Sequence, residues 1–253
     1  MDDTVILEAR KLRKAFGGLV AVNDVDLQIR AGTFHSIIGP NGAGKTTLFN
    51  LLSRTLDPTS GHVFFKGREI TRLPVQKIAH LGIGRSFQIT NIFPSLTTFE
   101  NIRLACQALG HDNFKMLNRT SDFKAYEEKT RQVIHQVGLD ERASTLARNL
   151  PHGDQRKLEL GMILAEDPNV LLLDEPTAGM AAEQVPEFIA LIQQVQRDGK
   201  KTIVLVEHNM GVVMNASEVI TVMHQGAILA EGTPSAIAAN ATVQSAYLGG
   251  MQW

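Results

Sequence analysis

The stretch that most restricts what this chain can fold into is Gly39–Thr46, with the sequence Gly-Pro-Asn-Gly-Ala-Gly-Lys-Thr. It fits the phosphate-binding pattern G-x-x-x-x-G-K-[ST] at every fixed position. Its glycines let the backbone wrap closely around an anion, so that backbone N–H groups point inward at a polyphosphate. Lys45 is expected to reach the β- and γ-phosphates, and the Thr46 hydroxyl to hold Mg²⁺.

The segments on either side of this loop come in the order that the motif requires. Residues 33–38 predict a short apolar strand, and residues 47–52 predict a helix with an apolar face. The helix would add the positive end of its dipole to the phosphate site. A glycine-rich turn with an incidental lysine is the alternative, and it leaves this agreement unexplained. The residues expected to bind the nucleotide here are Gly39, Pro40, Asn41, Gly42, Ala43, Gly44, Lys45, Thr46 and Thr47.

Composition and charge narrow the class of protein. The 253 residues are 43% hydrophobic and 20% charged, as in soluble globular chains with a substantial core. A formal net charge of -1 gives no basic field that would favour nucleic acid. The single cysteine, Cys106, excludes an internal disulfide framework. No apolar run approaches the ~20 residues of a membrane-spanning helix. The acidic N-terminus lacks the pattern of a signal peptide, so contact with a membrane is expected through a partner.

Hydrophobic periodicity predicts an α/β chain with a helical insertion. Between residues 97 and 138 the strand pattern stops, and two helical patterns flank a polar stretch. The predicted strands are residues 5–10, 18–29, 33–38, 61–65, 84–88, 170–174, 202–207, 219–223 and 227–231. The predicted helices are residues 47–52, 74–81, 96–109, 123–137, 183–197, 234–239 and 242–248.

Two adjacent acids follow a buried strand. Asp174 ends the apolar run 170–174, and Glu175 comes next. In a phosphate-loop nucleotidase, an acid at that strand end lies beside the loop and reaches Mg²⁺, while a second carboxylate polarises the attacking water. Alone, such a pair is usually a solvated strand end, but the loop at Gly39 favours the functional interpretation.

Three further side chains are candidates on weaker signals. His208 follows the strand 202–207 and could contact a γ-phosphate, although a histidine there is more often without a function. The amide of Gln88 could bind Mg²⁺ or water, against a solvated loop glutamine as the alternative. Phe16 could stack on a nucleotide base, against a core or loop-anchoring phenylalanine.

Taken together, these residues resemble a known family. In order and spacing, Gly39–Thr46, Gln88, Leu150–Arg156, Leu171–Glu175 and His208 resemble the Walker A, Q-loop, signature, Walker B and switch-histidine motifs of ABC transporter ATPase subunits. The resemblance covers essentially the whole chain. It implies an α/β P-loop NTPase fold, with a RecA-like core, an antiparallel β subdomain and an inserted helical subdomain. Residues 1–253 would form one ABC ATPase domain, with a core lobe at about 1–90 and 157–253 and a helical subdomain at about 91–156.

The resemblance also implies a role for each matching residue. Phe16 would stack on the adenine of ATP, Asp174 would lie on the metal side, and Glu175 would be the catalytic carboxylate. Gln88 would sense the γ-phosphate and the metal, and His208 would act as the switch. The residues implied to hold Mg²⁺ are Thr46, Gln88 and Asp174. The signature residues Pro151, His152, Gly153 and Asp154 would cover the ATP of a second ABC ATPase subunit.

Two motifs depart from the family pattern. The usual signature is Leu-Ser-Gly-Gly-Gln, but Pro151 stands at the serine and His152 at the first glycine. Proline offers neither a hydroxyl nor an N–H, so the γ-phosphate contact implied for serine cannot form. In the D-loop, Ala178-Gly179-Met180-Ala181 replaces Ser-Ala-Leu-Asp. Neither change touches Lys45 or the two acids, so an active ATPase is expected.

The variant signature, the Gly179-Met180 turn and the helical insertion resemble most the subgroup that serves uptake of branched-chain amino acids, urea and short amides. Its implied partners are ATP, membrane permease subunits and, indirectly, a periplasmic or extracellular solute-binding protein, with no nucleic acid. The implied location is the cytoplasmic face of the inner membrane. Whether the ATPases pair as a homodimer or a heterodimer stays open. The alternatives are a soluble ABC-type ATPase that remodels a complex and a small-molecule kinase.

Overall fold

The computed structural model describes residues 4–86, 92–108 and 120–247. The described strands form a four-stranded and a six-stranded sheet. The strands are β1 (Val5–Phe16), β2 (Leu19–Arg30), β3 (Phe34–Ile38), β4 (Ser60–Phe65), β5 (Arg68–Glu69), β6 (Ile83–Arg85), β7 (Val170–Asp174), β8 (Thr202–Val206), β9 (Val219–His224) and β10 (Ala227–Gly232). The helices are α1 (Lys45–Leu52), α2 (Val75–Leu81), α3 (Thr98–Ala108), α4 (Thr120–Gln136), α5 (His152–Ala165), α6 (Val185–Gly199), α7 (Met210–Ala216), α8 (Pro234–Ala238) and α9 (Ala241–Tyr247).

The six-stranded sheet brings the candidate site residues to one edge. Its order is β10-β9-β3-β8-β7-β6, and β3 is parallel to both β8 and β9. Every residue of β3, β7 and β8 is buried, which is the pattern of parallel strands covered on both faces. Val206 pairs with Ile37 on one side and with Asp174 on the other. The carboxyl ends of these three strands therefore meet.

The four-stranded antiparallel sheet, in the order β2-β1-β4-β5, packs on the other side of α1. Its inward side chains and the apolar face of α1, including Leu48 and Leu52, share one core with alternate residues of the central sheet. The N–H of Asn23 donates to the Gly226 carbonyl at 2.8 Å, which joins β2 to the β9–β10 hairpin. The loop before α1 is thereby enclosed by both sheets.

Helices α3, α4 and α5 pack together and continue into the core on the opposite face of the central sheet. Gly161 of α5 allows the close approach, because a Cβ there would lie 3.1 Å from Cδ1 of Ile102 and 3.4 Å from Cγ2 of Val137. Helix α5 runs continuously across residue 156, where the family resemblance places a subdomain junction. The division into a core lobe and a helical subdomain stays a prediction.

Most of the predicted elements are present, with shifted ends. The strand predicted at 170–174 has those bounds. Of the antiparallel pair predicted at 5–10 and 18–29, β1 is longer than expected and β2 is shifted by one residue. The strand predicted at 84–88 was placed too late, because β6 begins at Ile83 and ends at Arg85. Helices α5 and α7 and the two-residue strand β5 have no counterpart among the predicted ranges. Among the described residues, no helix combines the length and apolarity needed to cross a membrane.

Candidate functional site

The loop between β3 and α1 has backbone positions that glycine alone fits well. Gly39 and Gly44 have φ values of 157° and 97°. A Cβ on Gly39 would lie 2.4 Å from the Met223 carbonyl oxygen, and one on Gly44 would lie 2.3 Å from the Ala21 carbonyl oxygen. These distances are far below van der Waals contact. The two glycines are thus required both by φ and by the walls around the loop.

Lys45 lies folded over this loop. Its side chain is buried, and Nζ donates to the carbonyl oxygens of Gly39 at 2.7 Å and Pro40 at 3.1 Å. Burial lowers the pKa of the Lys45 ammonium, while the nearby carboxylates of Glu175 and Asp174 oppose that shift. An ammonium on two neutral carbonyls in a concave loop is poised for an anion. Thr46 and Thr47, both partly buried, follow in the first turn of α1.

Asp174 holds a carboxylate without a hydrogen-bond partner. It is 1% exposed, and neither of its side-chain oxygens has a partner within the part of the chain that the structure describes. Its backbone N–H donates to Oγ of Ser86 at 3.0 Å. Burial raises the pKa of the Asp174 carboxyl, although Arg85 and Lys45 pull it down. Two buried acceptor oxygens beside a threonine-bearing loop are the donor set that a hard divalent cation such as Mg²⁺ prefers.

Glu175 and His208 contact each other across the ends of β7 and β8. Nε2 of His208 lies 2.8 Å from Oε1 of Glu175. Glu175 has a φ of 48°, and its N–H donates to the Val206 carbonyl at 2.8 Å. A non-glycine residue in the left-handed region is strained. The two side chains are half-buried, so water can reach them.

Glu207 is a site residue that the sequence analysis did not single out. It is 4% exposed. Oε1 accepts hydrogen bonds from the N–H of Thr177 at 3.0 Å and from its hydroxyl at 2.5 Å, and Oε2 accepts from the N–H of His208 at 3.1 Å. The Glu207 carboxylate thus joins the turn after Glu175 to the start of the segment that carries His208. An acid between a buried strand and a histidine was the available signal.

The chain has the same organisation as known nucleotide-binding cassettes. A crystal structure of a nucleotide-free ATP-binding cassette from an ABC transporter superposes with a TM-score of 0.83 at 25% identity, covering 97% of this chain and 100% of that one. The family model for ABC transporters matches residues 22–178. The chain belongs to the ABC transporter ATPase family. A model described as a branched-chain amino acid ATP-binding cassette transporter matches residues 227–251 of this ABC ATPase.

Two bacterial proteins are similar to this ABC ATPase over nearly all of both chains. One is the high-affinity branched-chain amino acid transport ATP-binding protein LivG of Salmonella typhimurium, which is 40% identical over 96% of this chain and 98% of its own length. The other is the corresponding protein BraF of Pseudomonas aeruginosa, which is also 40% identical, over 96% of this chain and 98% of its own length.

The structure brings some predicted site residues of the ABC ATPase together and leaves others apart. Lys45, Asp174, Glu175 and His208 act on one another's charges at the sheet edge. Phe16 ends β1 with its ring 49% exposed, and Nζ of Lys14 lies 5.1 Å from the ring centroid. Its alternative as a core residue is thereby less favoured. Gln88 lies outside the described residues.

The signature stretch contacts the D-loop of its own chain. Pro151 is the N-cap of α5, and the Cε1 atom of His152 lies 3.2 Å from where a Cβ of Gly179 would be. A Cβ on Gly153 would be 2.9 Å from Oε1 of Gln184. Asp154 lies 3.7 Å from Arg142. The His152 ring therefore packs against Gly179, a residue of the segment that departs from the family D-loop.

An apolar groove lies between α2 and β6 on one side and α3 and α5 on the other. It is a cavity of about 590 Å³. Phe93 and Leu104 line it and are 49% and 36% exposed, whereas Ile92 packs against the core. The lining residues are Ser53, Thr55, Val75, Ile78, Ala79, Ile83, Arg85, Phe93, Leu104, Ala105, Ala108, Glu159, Met162, Ile163 and Glu166.

Proposed function

We propose that this ABC ATPase hydrolyses ATP to power the import of branched-chain amino acids through a membrane permease. The observation that carries the proposal is the 40% identity to LivG and BraF over nearly the full length of both chains. It is supported by the matching C-terminal segment, residues 227–251. The substrate class comes from those relatives, because an ATPase subunit of this kind does not itself contact the solute.

The phosphate site is proposed to form from the loop and α1. The N–H groups of Gly42, Gly44 and Lys45 would donate to the β- and γ-phosphates of ATP, together with the α1 dipole. The Lys45 ammonium would exchange its two loop carbonyls for phosphate oxygens. That exchange is favourable because a charge-assisted bond to phosphate is stronger than one to a neutral carbonyl. The ring of Phe16 is proposed to stack on the adenine.

The Mg²⁺ ion is proposed to be held through Thr46, Gln88 and Asp174, with Gln88 assigned by resemblance alone. The orphaned, buried oxygens of Asp174 fit this group, since a bound cation would compensate their desolvation. When bound, Mg²⁺ neutralises charge that develops on the phosphate oxygens. The chain's own contribution is to fix Asp174 through its bond to Ser86.

Glu175 is proposed to orient and polarise the attacking water, and His208 to hold Glu175 in place. The bond of 2.8 Å between them would restrict the carboxylate to one rotamer. Glu207 supports this arrangement as a positioning residue, since it bonds both to Thr177 and to the His208 backbone. Strain at Glu175 would be maintained by the Val206 bond.

The full catalytic unit is proposed to need two ATPase chains. The signature residues Pro151 to Asp154 would face the ATP of a second ABC ATPase subunit, either a second copy or a different chain. Pro151 and His152 are both exposed at the start of α5, as such a contact requires. In this arrangement α5 would direct its positive N-terminal end at the partner's phosphates.

The apolar groove is proposed to bind a helical segment of the permease, which would hold this chain peripherally at the cytoplasmic face of the membrane. Three large apolar side chains in it, Val75, Phe93 and Leu104, are at least 36% exposed. Exposed apolar surface that is concentrated in one concave region marks an interaction site. A solute-binding protein would act on the permease from the other side.

The test is reconstitution in lipid vesicles with the permease subunits, the binding protein and, where the second ATPase is a different chain, that chain as well. The wild type is expected to co-purify with the permease and to import radiolabelled leucine when ATP is supplied. Glu175→Gln is expected to lower hydrolysis by about 10²- to 10⁴-fold while ATP still binds, because the amide keeps the shape but loses the base. Glu128→Gln, an exposed acid on α4, is the matched control.

A different outcome would favour the non-transport alternative. If the wild type hydrolyses ATP but binds no permease and supports no leucine uptake, the chain is a soluble ABC-type ATPase. If Glu175→Gln retains wild-type turnover, the assignment of the catalytic carboxylate is wrong.

A further inference from the structure

Arg85 lies between the apolar groove and the nucleotide site, and it contacts elements of both. It is the last residue of β6 and lines the groove. Its Nη2 donates to Oδ1 of Asn50 at 2.5 Å, and its Nη1 donates to Oγ of Ser53 at 2.5 Å and to Oγ1 of Thr55 at 2.7 Å. These acceptors belong to the end of α1 and the turn after it. Arg85 therefore connects α1, the helix that begins with Lys45, to the lining of the groove through hydrogen bonds.

The hydrogen bonds of Arg85 depend on the shape of its guanidinium group. Arginine presents its N–H donors in a rigid planar fork, so one guanidinium can hold several acceptors in fixed relative positions. Cζ of Arg85 also lies 5.4 Å from the centroid of the Phe49 ring on α1. Burial lowers the pKa of Arg85, with Asp174 acting in the opposite direction. A lysine would keep the charge but could not reproduce the fork.

Ser86, the residue after Arg85, contacts the strand that carries Asp174 of the proposed Mg²⁺ site. The N–H of Ser86 donates to the Leu172 carbonyl at 2.9 Å, and Oγ of Ser86 accepts from the N–H of Asp174 at 3.0 Å. Arg85 itself pairs with Leu172 in the sheet. A displacement of β6 would therefore move α1 through Arg85 and β7 through Ser86, and these two elements carry Thr46 and Asp174.

We propose that Arg85 is a positioning residue that couples occupancy of the apolar groove to the geometry of the ATP site. This inference rests on the proposed function, in which a permease segment fills the groove. A segment that enters the groove meets the Arg85 side chain, and the guanidinium transmits the displacement to the last turn of α1. The competing interpretation is that Arg85 only stabilises the end of α1.

The experiment measures coupling in the assembled transporter. Wild type, Arg85→Lys and Arg85→Met are each reconstituted with the permease and binding protein. ATP hydrolysis is measured with and without leucine-loaded binding protein, together with leucine uptake. Both variants are expected to reduce the ratio of stimulated to unstimulated hydrolysis by about tenfold, or ~1.4 kcal/mol of coupling free energy. The ATP consumed per leucine imported is expected to rise.

Arg54 offers a matched control. It also lies at the end of α1 and is 7% exposed, but it donates to the Leu56 carbonyl and to Asp57 and lines a different, polar cavity. Arg54→Met is expected to lower the melting temperature and leave the stimulation ratio unchanged. Asn50→Leu removes an acceptor on α1 that does not line the groove. In a double-mutant cycle, its effect on the ratio of stimulated to unstimulated hydrolysis should be non-additive with that of Arg85→Lys.

Three results would overturn the inference. If the Arg85 variants lower stimulated and unstimulated hydrolysis in the same proportion, the residue is structural. If Asn50→Leu and Arg85→Lys are additive, the coupling does not pass through α1. If the wild type itself does not bind the permease, the proposed function fails, and this inference fails with it.

Discussion

At the scale of single residues, Asp174 is a buried acid at the end of β7. Its oxygens lack partners within the described residues, and burial raises its pKa. A buried charge without compensation costs stability, so its retention in the core indicates a ligand that compensates it. Glu207 shows the opposite case, since its carboxylate accepts hydrogen bonds from Thr177 and His208 and serves to place other groups.

Asp174→Asn is expected to stabilise the nucleotide-free protein at neutral pH by roughly 1–3 kcal/mol, the cost of an unsatisfied buried group. Because the folded-state pKa is raised, the native carboxylate is penalised above that pKa. The penalty fades as pH falls toward the ordinary value of 3.8, and the gain from Asn fades with it. Urea unfolding at several pH values measures this. The same variant should lose the extra stability that MgATP gives the wild type.

Asp198→Asn is the control, because this acid is exposed on α6. It is expected to change stability little. An Asp174→Asn protein that is less stable than the wild type at neutral pH, or that gains as much from MgATP, would contradict the assignment of Asp174 to the metal.

At the scale of elements, the loop before α1 needs glycine for two reasons, positive φ and close approach of neighbouring backbone. Two of its glycines show these reasons apart. Gly42 and Gly44 both have positive φ, 80° and 97°. A Cβ on Gly42 would meet no atom within 4 Å, whereas one on Gly44 would collide with the Ala21 carbonyl of β2. Gly42 is thus required only by its positive φ. Gly44 is required by its positive φ and also by the close contact between the loop and the antiparallel sheet.

Gly44→Ala is expected to be more destabilising than Gly42→Ala by about 1–3 kcal/mol, the range for forcing extra volume into a packed site. Both substitutions carry the cost of positive φ, so their difference isolates the collision with β2. Chemical denaturation of the two variants gives the difference, and ATP affinity should fall further for Gly44→Ala. Equal stabilities would show that the loop moves away from β2 at no cost.

At the scale of the whole molecule, the start of α5 is the part of the proposed catalytic unit that departs most from the family pattern. Pro151 caps α5 with φ −54° and ψ 152° and offers no side-chain acceptor to the first turn. His152 contacts Gly179, and Arg156 donates to the Ala178 carbonyl at 3.1 Å. The two departures from the family pattern, in the signature and in the D-loop, are therefore in contact within one chain.

Pro151→Ser is expected to strengthen ATP-driven pairing of the ATPase chains. A serine there would cap α5, worth about 0.5–2 kcal/mol, and would supply a hydroxyl toward the partner's phosphate. Sedimentation with MgATP in a Glu175→Gln background measures the association. Pro151→Ala is the control, because it removes the ring without adding the hydroxyl. Equal association of the two variants would show that the missing hydroxyl does not limit pairing.

The elements that the sequence predicted well are those encoded by short-range patterns. The strand 170–174 is a continuous apolar run, and the strand and helix on either side of the loop at Gly39 follow from equally local patterns. Helix α7 was missed although its signals were present. Asn209 caps it by accepting from the Val212 N–H at 3.2 Å, and Val212, Val213 and Ala216 lie on its buried face. An asparagine directly before an apolar pattern of this spacing is the local signal for such a helix.

By itself, the sequence predicted a phosphate-binding loop at Gly39 and a pair of acids after a buried strand. Both depend on neighbours along the chain. The tertiary structure decided which distant residues meet. The placement of β3 next to β8, and of β8 next to β7, brings Glu175 to His208 and Glu207 to Thr177. The contacts of Arg85 with α1 likewise depend on how two layers pack. Strand order and layer packing are set by the summed burial of the whole core, which no local pattern records.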